Sequence, residues 1–388
     1  MMETKEIYFD NSATTKASDG VIAKVTAAMG SDYGNPSSMH RKGMEAERYV
    51  KTAREQIAKI LKVEDKEILF TSGGTESNNT AIIGAARANR RSGNHIITTA
   101  VEHASVANVM KYLEEEGFRV TYLPVDSYGV VSVADFEAAI CENTILASIM
   151  YVNNEVGAIM PVEQMAKVLK EKRPDALFHV DAIQAFAKFQ IYPKRMGIDL
   201  MSVSGHKFHG PKGVGFLYVR NKVKMKPLLL GGGQQNNMRS GTENVPGIAG
   251  LGQACVEAYD GFADKVTHMT ELKDYFIEQI SKTEGVAVNS RLGEAGAPHI
   301  VSVSFQGVRS EVLLHALEEL GIYVSAGSAC SSNKPAISAT LQAMKIPKEY
   351  LDSTIRFSFC EANTKEEIDY CISNINTLLC TLRKYRRK

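Results

Sequence analysis

A lysine, an aspartate and a glycine-rich turn carry the first chemical signal in the sequence. Lys207 stands in SVSGHKFHGPKG (202–213), among glycines and beside two histidines, directly after an apolar run that reads as a strand. A lysine there is either a solvated loop ammonium or a partly desolvated amine with a lowered pKa, able to condense with a carbonyl. Asp181 closes another apolar run in HVDAIQ (179–184). A carboxylate at a buried strand end is costly unless a cation faces it. TSGGTESNN (71–79) follows a third such run. Its glycines permit a tight turn, and Thr75 opens a helix whose unpaired N–H groups suit a phosphate or serve an ordinary cap. No Gly-Lys-Ser/Thr follows, so this is not a nucleotide P-loop. A phosphate-binding helix start, an acid for a protonated pyridine nitrogen and an amine for an aldehyde together fit one cofactor, pyridoxal 5'-phosphate.

A thiol is the next candidate. Of six cysteines, Cys330 in SAGSACSSNKP lies among small and polar residues with no apolar periodicity to bury it, on a loop expected to be mobile. Cys255, Cys360, Cys371 and Cys380 read as helix or strand packing or as replacements of small residues, and Cys141 opens a polar connection without reactive neighbours. No Cys-x-x-Cys pair suggests a disulfide framework or a metal, and no metal is expected.

The elements that must position these groups follow from apolar patterning. Strand-like runs recur at 67–71, 95–99, 119–123, 144–152, 177–181, 199–203 and 214–219, with helical patterns at 75–90, 105–116 and 162–172 between them. Alternation of strand and helix predicts an α/β fold with a seven-stranded, mostly parallel sheet covered by helices. The connection of about ten residues before the last strand is too short for a helical crossover, so that strand is expected to run antiparallel. A glycine-rich stretch (230–241) leads to a helix starting near Pro246. Beyond it, strands at 299–305, 322–325 and 354–359 with helices at 310–320 and 364–382 predict a smaller α+β C-terminal domain. The expected division is 15–258 for the large cofactor-binding domain, and 1–14 with 259–388 for the small domain carrying the cysteine loop. The polar segments all fall at strand C-termini, where open α/β sheets bind ligands.

Composition excludes other classes. With 45 basic against 44 acidic residues and a net charge of +1, no overall basic field suggests direct nucleic-acid binding. The basic end, 383–388, reads as a solvated helix terminus. No apolar run approaches the ~18 residues of a membrane span and the first residues lack a secretion signal, so a cytoplasmic location is expected.

The sequence also resembles the cysteine desulfurases of the NifS/IscS type, within the class V aminotransferase group of fold-type I pyridoxal-phosphate enzymes. The resemblance runs over nearly the whole chain, in DNSATT (10–15), GNPSSMH (34–40), TSGGTESNN, EH (102–103), NNEVG (153–157), HVDAIQ, SGHKFHGPKG, RSGTEN (239–244), GSACSS (327–332) and RFSF (356–359). It implies that Lys207 bonds the cofactor, Asp181 pairs the ring nitrogen, His103 stacks on the ring and Gln184 reaches the ring hydroxyl. Gly74, Thr75, Ser204 and His206 would hold the phosphate, with Thr242 reaching over from a second subunit of a homodimer. Asn154 and Arg356 would orient the substrate, Arg356 gripping its carboxylate; without the resemblance, Arg356 reads equally as a strand-end surface charge. Cys330, 26 positions before Arg356, resembles the subgroup with a long swinging cysteine loop. The implied activity is a sulfurtransferase reaction. L-Cysteine becomes L-alanine and Cys330 becomes a persulfide, with proton transfers shared between Lys207 and His103. The sulfur would pass to an acceptor such as an iron–sulfur scaffold or a tRNA-thiolation enzyme; a selenocysteine lyase or another class V aminotransferase is the alternative. Three departures from the family pattern are QQNN (234–237), Ala187 at a position where glycine is common, and Cys360 where a small residue is usual.

Overall fold

A computed structural model describes residues 6–326 and 338–385. The chain opens with a short strand β1 (Ile7–Tyr8) and helices α1 (Asp19–Gly30) and α2 (Arg41–Leu61). Strands and helices then alternate: β2 (Ile68–Thr71), α3 (Gly74–Asn89), β3 (His95–Thr99), α4 (Ala104–Glu115), β4 (Arg119–Leu123), α5 (Val133–Ala139), β5 (Thr144–Met150), α6 (Val162–Lys172) and β6 (Leu177–Asp181). Two strands, β7 (Leu200–Ser204) and β8 (Gly215–Val219), follow without a long helix between them. Helices α7 (Val245–Tyr259) and α8 (Phe262–Ile280) lead to β9 (Val286–Val288), β10 (Ile300–Phe305), α9 (Ser310–Glu318), β11 (Ile322–Tyr323) and β12 (Ser325–Ala326). The chain ends in α10 (Ala339–Ala343), β13 (Thr354–Ser358) and α11 (Lys365–Leu382).

Seven strands form one sheet in the order β2-β8-β7-β6-β5-β3-β4. All neighbours are parallel except β8, which is antiparallel to both β2 and β7, as its short connection requires. Strands β5, β6 and β7 are buried along their full length, the pattern of a sheet covered on both faces. A four-stranded antiparallel sheet, β12-β13-β10-β9, packs separately. Its core joins Phe276 of α8, Phe305, Phe357 and Ile375 of α11 with Ile7 and Phe9 from the start of the chain. Helix α11 begins with a capping box between Thr364 and Glu367.

Several elements escape the apolar pattern. The buried stripe of α2 is Gly43, Ala46, Val50, Ala53, Ile57 and Leu61. Its spacing is helical, but glycine and alanine mute the signal. Small residues serve close approach here. A Cβ on Gly252 of α7 would lie 2.7 Å from Ala53 Cβ, and one on Gly250 would lie 2.7 Å from Val25 of α1. Helices α1, α5 and α8 were likewise not expected from the sequence. The strand expected at 322–325 is two strands in different sheets, β11 pairing β1 and β12 pairing β13. Val324 separates them, and the chain leaves one sheet for the other there. Arg383 is not simply solvated: it donates from Nε to the carbonyl of Gln306 at 3.1 Å and from Nη2 to that of Glu284 at 2.8 Å.

Beneath Lys207 the core is aromatic. Phe186 meets Phe208, Phe216 and Tyr259 with centroid separations of 5.0, 5.4 and 5.4 Å. Next to it, Ala187 holds φ of +63°, the left-handed conformation that accounts for a glycine preference at this position. Phe186→Ala is expected to cost about 3–5 kcal/mol of stability through the cavity it leaves. Urea unfolding measures this, and a loss below about 1 kcal/mol would mean that the cluster does not support the lysine turn.

Candidate active site

The C-terminal ends of β2, β6 and β7, the start of α4 and the strap Asp10–Ala13 meet around a cavity of about 460 Å³. That volume lies in the range of about 300–1,000 Å³ usual for ligand and cofactor sites. Gly74, Thr75, His103, Asn154, Asp181, Gln184, Ser204, His206, Lys207 and Arg356 all line it. Ten residues singled out from sequence thus share one space.

Asp181 is buried at the end of β6. Its Oδ1 accepts from the N–H of Ile183 at 3.0 Å and its Oδ2 from Asn78 Nδ2 at 2.7 Å. Burial pushes this carboxyl above the usual carboxylate range, against the pull of these two hydrogen bonds and of His103 and Lys207. A positive group facing the acid from the cavity restores the charged form. Asn78 gives its amide also to Ser105 Oγ at 2.9 Å, and Ser105 Oγ lies 2.8 Å from His103 Nδ1. His103 is the N-cap of α4, accepting from the Ser105 N–H at 3.1 Å through the same Nδ1. These partners assign the neutral ring's proton to Nε2. Burial lowers the His103 pKa, with the Asp181 charge opposing, so the ring is held neutral.

Lys207 follows β7 in a short 3-10 turn, and its Nζ donates to the carbonyls of Ser12 at 2.7 Å and Ala13 at 2.9 Å. The Ser12 carbonyl also accepts from Gln184 Nε2 at 3.0 Å. Gln184 Oε1 lies 3.3 Å from His299 Nε2, so both ends of this amide are engaged within the cavity wall. His206 Nδ1 is 3.2 Å from Thr14 Oγ1, and burial followed by the neighbouring charges of Lys207 and Lys212 brings its pKa down to about 4. Gly73, at φ of +142°, makes the turn into α3 and caps it without a side-chain hydrogen bond, leaving first-turn N–H groups for an outside acceptor.

Arg356 is not a strand-end surface charge. It sits in the middle of β13 with its side chain buried, donating to Asp10 Oδ1 and to the Asn154 carbonyl, both at 2.8 Å. Two of its five N–H groups are thereby used, and the buried Nε has no hydrogen-bond partner. Thr242 is exposed and does not line this chain's cavity. Cys330 lies outside the described residues. On either side of the segment that holds it, Ser325 lines the cavity and Ser338 donates to Glu155 beside Asn154.

The residues missed from sequence are those that hold others in place: Asp10 and Ser12 of the strap, Asn78, Ser105, Glu102 and His299. DNSATT and TSGGTESNN contained three of them, and polar side chains clustered in a short motif were the available signal. Cys141 departs from expectation too, for Arg119 Nη2 donates to its Sγ at 3.0 Å and His95 Nδ1 lies 3.4 Å away. Cys255 and Cys371 are buried as expected, but Cys380 is exposed.

These residues suit pyridoxal phosphate. The underpaired buried acid matches a protonated ring nitrogen, the amine of Lys207 shares its cavity, and the α3 start with Ser204 and His206 supplies phosphate donors.

Comparison with known proteins agrees. The profile of the aminotransferase class-V family matches residues 7–371. A NifS/IcsS protein homolog of Lactobacillus delbrueckii subsp. bulgaricus is 44% identical over 370 residues, covering 95% of each chain. Cysteine desulfurase IscS of Methanosarcina thermophila is 42% identical over 381 residues, covering 98% of this chain and 94% of the relative. Among solved structures, a NifS-like protein superposes with a TM-score of 0.92 at 40% identity, covering 97% of this chain and 100% of its own. SspA in complex with cysteine gives 0.80 at 34% identity, covering 92% and 100%.

Glu102 has a consequence for stability. Its Oε1 accepts from Thr99 Oγ1 at 2.8 Å and from the Met150 N–H at 2.9 Å, while Oε2 is buried without a partner. Burial raises its pKa from 4.5 to about 8. Between these values the unfolded chain releases a proton that the folded chain keeps, so this residue makes stability fall as pH rises from 4.5 to about 8. The slope approaches about 1.4 kcal/mol per pH unit at most. Urea midpoints of the holoenzyme at pH 5.5 and 8.5 are expected to fall less in Glu102→Gln than in the parent; an equal fall would mean that the carboxyl is already ionised.

Proposed function

The chain belongs to the aminotransferase class-V family, and we propose that within it the protein is a cysteine desulfurase, converting L-cysteine to L-alanine with transfer of the sulfur to Cys330. The family is pyridoxal-phosphate-dependent. The observation that carries the proposal is the convergence of the Lys207 amine, the Asp181 carboxylate and the Arg356 guanidinium on one cavity. Relatives named as cysteine desulfurases over nearly the full length support the choice of substrate.

When bound, pyridoxal phosphate supplies an aldehyde that captures the substrate amine and a ring that accepts the electron pair of its Cα–H bond. In this reading the chain's residues do the rest. Asp181 holds a proton at the facing ring nitrogen, and Asn78 keeps the acid in position. Arg356 binds the substrate carboxylate through N–H groups not committed to Asp10 and the Asn154 carbonyl. The side chain of Asn154 completes that end of the site. Lys207 Nζ takes the Cα proton, and the neutral ring of His103 carries protons at Nε2. Gly74, Thr75, Ser204 and His206 hold the phosphate, with Thr242 of a second subunit in a homodimer. The exposure of Thr242 in the single chain is compatible with that role.

The Cys330 thiolate attacks the substrate sulfur. An S–S bond forms, the C–S bond breaks, and its electron pair stays with the three-carbon remainder that leaves as L-alanine. Cys330 is five positions beyond Ser325 of the cavity wall. Five residues span at most about 16–18 Å, which keeps Cys330 within that reach of the cavity wall. The acceptor is a protein such as an iron–sulfur scaffold or a tRNA-thiolation enzyme, and the setting is the cytoplasm. Among the described residues no helix is long and apolar enough to cross a membrane. The separate core beneath the four-stranded sheet supports reading 15–258 as the large domain and 1–14 with 259–388 as the small one.

The test is release of sulfide and L-alanine from L-cysteine under thiol reductant. Lys207→Ala is expected to lose the visible absorption of the lysine-bound cofactor and to lower turnover by at least about 10²-fold. Cys330→Ser is expected to bind cofactor and L-cysteine normally but to release no sulfide. Full desulfuration by the serine variant, or amino transfer to a keto acid without sulfide, would overturn the proposal, and activity confined to L-selenocysteine would replace it with a lyase.

A further inference from the structure

Outside the cavity, three side chains that the proposed reaction does not use converge. The donor atoms of His209, Cys360 and Glu361 all lie within 4.8 Å of one another. His209 Nε2 is 3.3 Å from Glu361 Oε2. Tetrahedral zinc with bonds of about 2.0–2.1 Å sets nitrogen and oxygen ligands about 3.4 Å apart, so this edge already has the required length.

The histidine is oriented for such a role. Its Nδ1 lies 2.8 Å from the Lys16 carbonyl, an acceptor only, so Nδ1 carries the proton and donates. In the neutral ring Nε2 then presents its lone pair to the cluster, the arrangement in which a backbone carbonyl fixes the tautomer of a metal-bound histidine. Nε2 is buried and has no hydrogen-bond partner. The backbone of His209 is itself pinned, with φ of +65° and its N–H donating to Thr15 Oγ1 at 2.6 Å. Cys360 is buried at 7% exposure, and its N–H is held by Asn363 Oδ1 at 2.9 Å.

A ring nitrogen, a carboxylate oxygen and a sulfur brought this close offer three donor atoms to one cation. The mixture of nitrogen, sulfur and oxygen suits zinc, and does not suit magnesium or calcium, which take oxygen ligands. We propose that His209, Cys360 and Glu361 bind one zinc ion, with water in the fourth position and the Cys360 proton released to solvent on binding. Thiolate and carboxylate together offset the two charges of the ion, so buried Lys188, which couples electrostatically to both, does not face a net positive cluster. The ion joins the segment after Lys207 to the segment after β13, outside the cavity wall. It is a staple between two parts of the chain and takes no part in the chemistry of the cofactor.

The experiment uses the holoenzyme carrying Cys330→Ser, which removes the thiol of the proposed sulfur transfer. Dialysis against micromolar zinc chloride followed by elemental analysis is expected to give about one zinc per chain, and a raised melting temperature. Adding Cys360→Ser or His209→Gln is expected to lower bound zinc at least tenfold and to remove the thermal shift. Glu361→Gln, at a partly exposed side chain, decides the matter if either of those fails to fold, as circular dichroism will show. Zinc retained equally by the variants places the ion elsewhere, for instance at Cys141 and His95, and overturns the proposal. No zinc on the parent also overturns it.

Discussion

The buried carboxylate of Asp181 is the constraint on which the rest of the site depends. A charge in that position is expensive, and the two hydrogen bonds from Ile183 and Asn78 only partly offset its loss of water. The acid therefore has to face a cavity that admits a cation. The parallel sheet provides this cheaply. Met150 and Ser202 flank Asp181 in register on β5 and β7, so the strand ends that carry polar turns lie side by side. The acid of one strand and the lysine turn of the next therefore border one cavity.

Hydrogen bonds extend this order from the acid to the histidine. Asp181, Asn78, Ser105 and His103 form a continuous chain across β6, α3 and α4. Each donor in it has a defined recipient. The two amide protons of Asn78 go to Asp181 and Ser105, and the hydroxyl proton of Ser105 goes to His103. The ring of His103 is thus fixed by the same interaction that caps α4, and its neutral tautomer follows from the fold. A site built from strand ends and helix caps keeps its geometry because moving one group breaks the secondary structure of another.

Much of this was legible in the sequence where function and local structure coincide. Asp181 and Lys207 each end or follow a continuous apolar run, and Gly73 marks the turn into a helix whose first N–H groups lack partners. The short connection before β8 fixed its direction for the same local reason. What remained hidden depends on contacts between distant segments. The pairing of Arg356 with Asp10 and that of Gln184 with Ser12 link positions far apart in the chain, and no spacing rule announces them. Helix α2 was hidden because alanines interrupt the Val50, Ile57 and Leu61 of its buried face, and the value of Ala53 lies in how closely Gly252 of α7 approaches it and not in apolar surface. Cys141 looked inert because Arg119 and His95 reach it only through the packing of neighbouring strands.

The strap at Asp10–Ala13 shows why the two sheets act as one site. Its backbone carbonyls hold Lys207 and Gln184 on the side of the large sheet. Its Asp10 side chain pairs Arg356 on the small sheet, and the N–H of Ser12 donates to Ser358 Oγ at 2.8 Å. The amine of Lys207 and the guanidinium of Arg356 are therefore referenced to the same four residues. The strap reaches Lys207 through the carbonyl dipoles of Ser12 and Ala13, while the lysine's charge also couples to the buried Asp181 carboxylate. The strap's own carboxylate, on Asp10, is committed to the Arg356 guanidinium.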